Sequence, residues 1–128
     1  MPKEIINIPS TRDHPFSPAV RAGDYIFVSG QGGTVDVNGK ELKTIEDQTK
    51  LALDNMKRIM EAADASLNDV VKVNVFLGDV NNFGKMNGVY RSYFPTNKPA
   101  RSTAITGLVI PAMLVEIECI AYCPSASK

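Results

Sequence analysis

The sequence is short of the groups that most enzymes lean on. It has one histidine, His14, and two cysteines, Cys119 and Cys123, with no clustered thiols, which excludes a conventional zinc site. The cysteines lie four residues apart in or just after an apolar, strand-like run. Extended chain sets them roughly 13 Å apart, too far to bridge, and two free thiols fit a reducing cytoplasm. Net charge is absent too: 14 basic residues cancel 14 acidic ones, which speaks against a broad surface for nucleic acid or anionic membrane. The longest apolar runs fall far short of a membrane span, and MPKEIINIPS has neither the apolar region nor the cleavage site of a signal peptide. There is no Gly-rich phosphate loop, no GxSxG elbow and no internal repeat.

What is present fits a single domain over residues 1–128. KEIINI predicts a short edge strand, and the three prolines between Pro9 and Pro18 predict a loop. Ala19–Arg21 and Tyr25–Ser29 flank a turn at Ala22-Gly23-Asp24. The glycines at 30, 32 and 33 then loosen the backbone. Thr44 caps a helix reaching Ala63, whose apolar face is Ala52, Met56, Ile59, Met60 and Ala63. Val70–Leu77 predicts a strand with Val71, Val73, Val75 and Leu77 on one face and Val70 and Phe76 on the other. Asp79 caps a second helix running to about Phe94, with Phe83, Met86, Tyr90 and Tyr93 at helical spacing and Asn87 one position off that stripe. Two β-rich runs follow, around Arg101 and in LVEIECIAY.

The order ββ(β)–α–β–α–β–β predicts an α+β fold, a mixed sheet with both helices on one face. Two helices cover one face only, so the apolar groups on the second face predict an oligomer. Charges stand out on the last two strands. Arg101 shares a face with Thr103 and Ile105, and Glu116 and Glu118 share one with Leu114, Ile120 and Tyr122. The expected arrangement sets Arg101 and Glu116 on adjacent strands beside Ser29 and Gly30. Charges on such apolar strands are paired with each other, as a structural ion pair, or reserved for a ligand.

The segments FSPAV, YIFVSGQ, LALDNMKRIMEAADASLNDVVKVNVFLGD, MNGVYRSYFP, PARST and LVEIECIAY together resemble the Rid family, the YjgF-like reactive intermediate deaminases, over nearly the whole chain. PARS with the downstream VEIE is the specific part. The resemblance implies a chorismate-mutase-like homotrimer with a cleft at each subunit boundary. It implies hydrolysis of 2-imino and enamine carboxylates, of the 2-iminopropanoate or 2-iminobutanoate type, to the 2-oxo acid and ammonia, with no cofactor and no metal. It implies Arg101 as carboxylate binder, Glu116 as the water-handling acid–base group, and Ser29, Gly30 and Asn87 as substrate neighbours. Phe16 stands where the best-studied members have tyrosine, and Thr103 where they have cysteine. These departures bear on the pocket wall and leave 2-aminomuconate or aminoacrylate as alternative substrates. A ribonuclease or translation-inhibitor role, as some relatives are labelled, and a non-catalytic ligand-binding trimer are further alternatives.

Overall fold

A computed structural model describes residues 2–9 and 13–124. Six strands, β1 (Glu4–Ile6), β2 (Ala19–Ala22), β3 (Tyr25–Gln31), β4 (Val70–Leu77), β5 (Ala100–Ile105) and β6 (Val115–Tyr122), form one sheet in the order β1-β2-β3-β6-β4-β5. All neighbours run antiparallel except β4 and β5, which are parallel. A parallel pair needs a crossover, and helix α2 (Phe83–Tyr93) supplies it. Helix α1 (Ile45–Ala62) crosses between β3 and β4. This is the α+β mixed sheet that the sequence predicts.

Local chemistry fixes the helix ends. The Thr44 hydroxyl accepts a hydrogen bond from the Asp47 amide at 3.1 Å, and Glu46 and Asp47 lie at the positive end of the dipole. Asp79 caps a one-turn 3-10 helix, Val80–Asn82, and α2 begins only at Phe83. Ala52, Leu53, Met56, Ile59 and Met60 of α1 and Met86 of α2 are fully enclosed against Ile26, Val73, Val75, Leu77, Val115 and Ile117 of the sheet. Both helices therefore lie on one face.

The strand β4 faces differ from the expected alternation at its start. Val70 pairs with Ala121 and Lys72 with Ile120, so Val71 is one residue too many in the ladder. Such a bulge changes the face of whatever precedes it. Val70 is consequently buried under the helices, and Val71 is exposed on the open face. That open face also carries Tyr25, Phe27 and Tyr122, each 45% exposed. No helix covers it.

Candidate active site

Arg101 lies on β5, the edge strand. Its ladder partner is Val73, and Thr103 and Ile105 sit beside Val75 and Leu77. The three therefore share the helix-covered side, as their period-two spacing requires. Arg101 is half-buried, and its guanidinium carbon stands 4.6 Å from the centre of the Tyr90 ring and 5.8 Å from that of Phe83. Among the described residues it makes no ion pair and no hydrogen bond. It lines a recess of about 220 Å³ with Asn87, Tyr90, Arg91, Lys98 and Pro99. Asn87 thus faces the same recess as Arg101. Ser102 points away and accepts a hydrogen bond from Lys72 Nζ at 3.0 Å.

Glu116 lies elsewhere. It pairs with Phe76 across the β4–β6 ladder and belongs to the open face, beside Glu118, whose Oε2 accepts from Asn74 Nδ2 at 3.0 Å. β4 separates β6 from β5. The expected adjacency of Arg101 and Glu116 is therefore incorrect within one chain: the strands are about 10 Å apart, and the two side chains leave opposite faces. The reason is topological. The β5–β6 connection is long enough to pass over β4, and no local signal in PARSTAITGLVIPAMLVEIE reports that crossing.

Most neighbours of Glu116 come from the N-terminal part of the chain. A cleft of about 460 Å³ joins Glu116 to Phe16, Gly30, Gly32, Ile110 and His14. The β3–β6 register breaks between Val28 and Gln31, so Ser29 and Gly30 lie in an irregular stretch of the ladder. A β-carbon on Gly30 would stand 2.8 Å from Glu116 Cδ, so glycine is what leaves room for this carboxylate. The Ser29 hydroxyl donates to the Ser17 carbonyl at 2.6 Å, and the Ser29 amide donates to the Pro18 carbonyl at 3.0 Å. Ser29 thereby ties down the loop carrying Phe16, which is 56% exposed and stacked on His14 with ring centres 5.0 Å apart. Among the described residues Glu116 has no hydrogen-bond or ion-pair partner.

The predicted site residues therefore fall into two groups: Arg101, Thr103 and Asn87 on one side, and Glu116, Gly30, Ser29 and Phe16 on the other. A cleft of about 780 Å³ between the helices, lined by Lys50, Lys57, Ser66 and Tyr93, contains none of them.

Two residues that sequence reasoning passed over hold these groups in place. Gln48 is fully enclosed. Its Nε2 donates to the Leu42 and Ala112 carbonyls at 2.9 and 3.1 Å, and its Oε1 accepts from the Leu114 amide at 2.7 Å. It fixes the start of β6, two residues before Glu116. Its signal was a polar residue at a core position of α1. Tyr90 is 7% exposed, and its hydroxyl is buried without a partner among the described residues. Burial raises its pKa, and the nearby Arg101 charge pulls the other way. Burial also pushes the Cys119 thiol up to about 12, with the Glu118 carboxylate adding to the effect. No group of His, Cys, Asp and Glu among the described residues has a metal-ligating arrangement.

Comparison with known proteins agrees with this fold. Residues 8–123 match the family described as Endoribonuclease L-PSP. A RutC family protein of Pyrococcus horikoshii is 47% identical over 109 residues, 84% of this chain and 86% of that one. A protein of Dermatophagoides farinae named 2-iminobutanoate/2-iminopropanoate deaminase is 39% identical over 123 residues, 93% of this chain and 95% of its own. The solved structure of E. coli TdcF with bound serine superposes with a TM-score of 0.84 at 31% identity, covering 93% of this chain and 98% of that one. With a sheet of this order and a match spanning nearly its whole length, the chain belongs to the Endoribonuclease L-PSP family, whose members include the Rid and YjgF proteins.

Proposed function

We propose that the protein is a hydrolytic deaminase of small 2-imino and enamine carboxylates, of the 2-iminopropanoate and 2-iminobutanoate type, acting as a homotrimer with its sites between copies. One observation carries this reading: a guanidinium and a carboxylate, each unpaired among the described residues, stand on opposite faces of one chain, and an apolar sheet face is left open. Packing that face against a second copy buries its aromatic residues. It also allows the Arg101 group of one copy to meet the Glu116 group of the next.

The chemistry follows from the groups. The planar fork of Arg101 matches a carboxylate and stays charged at any working pH. Gripping it fixes the adjoining C=N carbon. Glu116 takes a proton from water as the oxygen bonds to that carbon, and the C=N π pair moves to nitrogen, which is protonated. Collapse of the carbinolamine breaks the C–N bond, releases ammonia and leaves the 2-oxo acid. Glu116 hands the proton taken from water to the nitrogen, then takes the carbinolamine hydroxyl proton and delivers it to the departing nitrogen as the C–N bond breaks. Thr103 and Asn87 flank the carboxylate, and Phe16 walls the Glu116 cleft. Because imines already hydrolyse in water, positioning and one acid–base group suffice, with no cofactor. We assign the protein to the cytoplasm on its two free thiols.

The test is subunit mixing. Arg101→Ala and Glu116→Gln, each inactive alone against iminopropanoate trapped as its semicarbazone, are unfolded together and refolded. Sites built between copies recover about a quarter of wild-type activity, since each site draws its two halves from independent chains. No recovery, from a wild type that is active, places both residues in one chain's site. Wild type that spares iminopropanoate but consumes 2-aminomuconate or aminoacrylate selects the alternative substrates. RNA cleavage that survives Arg101→Ala supports the ribonuclease alternative, against which the balanced charge speaks.

A further inference from the structure

We infer that Tyr90 is a positioning residue whose ring, not its hydroxyl, aims the Arg101 fork at the ligand. This rests on the reading that Arg101 grips a carboxylate. A half-buried arginine is usually steered by a carboxylate, which occupies the N–H donors it steers. Here the guanidinium is instead held over an aromatic ring at 4.6 Å, with a second ring at 5.8 Å. A ring attracts the cation through its face. The five N–H donors lie in the guanidinium plane, so the edge stays available to a ligand.

The helix builds this support by spacing alone. Phe83, Asn87 and Tyr90 occupy positions i, i+4 and i+7 of α2, one stripe along one face. They present a ring, an amide and a ring in line with β5. Tyr90 is itself fixed. It is 7% exposed and packs on Phe94 with ring centres 4.9 Å apart, so the platform under Arg101 does not move with solvent. Its hydroxyl does nothing that would explain a tyrosine: it is buried and has no partner among the described residues. A phenol donating a proton to the reaction would need access to the ligand, and this one has none.

Three variants decide the matter: Tyr90→Phe, Tyr90→Leu and Phe83→Leu. The ligand probe is pyruvate, titrated against the assembled protein, alongside turnover of iminopropanoate and the amide and guanidinium proton spectrum. Tyr90→Phe keeps pyruvate affinity and KM within about twofold and raises thermal stability, because an unpaired buried hydroxyl is removed. Tyr90→Leu weakens pyruvate binding and raises KM about tenfold, with kcat changed much less and the fold retained. The ring-current shift of the Arg101 Nε–H signal persists in Tyr90→Phe and vanishes in Tyr90→Leu. Phe83→Leu, at the more distant ring, gives a smaller effect in the same direction. Equal losses in Tyr90→Phe and Tyr90→Leu overturn the inference by assigning the role to the hydroxyl. An unshifted Arg101 Nε–H signal in wild type, or unchanged affinity in Tyr90→Leu, also overturns it. The spectrum reads the stacking whether or not the protein turns over an imine, so failure of the deaminase reading is seen separately.

Discussion

Two arginines on this sheet are treated in opposite ways. Arg21, on β2, is 7% exposed, and both ends of its fork are spent: Nη1 donates to the Cys123 carbonyl at 2.7 Å and Nη2 to the Ala63 carbonyl at 3.4 Å. Ala63 closes helix α1, where the dipole is negative, so this cation joins a helix end to the final strand. Arg101, on the far edge, is held by rings and spends none of its donors among the described residues. A buried fork whose two ends are both bonded to backbone carbonyls is part of the fold. One held over rings with its donors free among the described residues is what the proposed carboxylate-binding role requires. The same division recurs in two glycines and two cysteines.

The arginine pair separates most widely. Arg21→Ala strands two carbonyls and leaves a void, so unfolding free energy falls by about 2–4 kcal/mol. Arg101→Ala changes stability by less than about 1 kcal/mol and lowers kcat/KM about 100-fold or more, and Arg101→Lys is also poor because an ammonium cannot fork. Denaturant melts and imine trapping on both variants check this. A stability loss in Arg101→Ala equal to that in Arg21→Ala would erase the distinction.

The glycine pair gives a smaller contrast. A methyl at position 30 meets the movable end of Glu116, so Gly30→Ala displaces the carboxylate and costs about tenfold in activity with little change in melting temperature. A methyl at position 32 meets the Val115 carbonyl at 2.8 Å, and backbone does not yield. Gly32→Ala therefore loses about 1–3 kcal/mol of stability. Reversal of the two outcomes would mean that Glu116 is not where activity resides.

The thiols give the mildest. Cys119 is buried, with a pKa raised from 9.0 to about 12, and Cys123 is half-buried. Iodoacetamide at pH 8 labels Cys123 and spares Cys119 until the protein unfolds. The raised native value means that unfolded chain releases this proton first as pH climbs. The stabilising contribution is complete below pH 9 and fades between about 9 and 12. The Tyr93 hydroxyl, raised to about 12 by burial and its hydrogen bond to Asp54, acts in the same direction. Cys119→Ala flattens the alkaline slope of the melting temperature; an unchanged slope assigns that loss elsewhere.

Much of this was legible beforehand. Thr44, the methionine stripe of α1 and the alternation in VEIECIAY depend on local spacing, and the structure follows them. Arg101, Thr103 and Ile105 do share a face. The misreadings came from non-local pairing. Nothing in Val70-Val71 announces that β6 skips a residue opposite them. Nothing in the loop after Ile105 says that β6 inserts on the far side of β4. That strand order sets Glu116 away from Arg101 within one chain and leaves the expected site residues in two groups. Gln48 and Tyr90 differ: Gln48 is a polar break in the core face of α1, Tyr90 reads as an ordinary member of the α2 stripe, and the task of each appears only when its partners are in place.

The hydrogen bond between Asn74 and Glu118 sits in the middle of the uncovered sheet face, amid Phe27, Phe76 and Ile120. A wholly greasy surface there would welcome any sticky chain released from a ribosome. An amide and a carboxylate at its centre penalise every occupant that cannot answer them, and so make the newly made polypeptide choosy about its company.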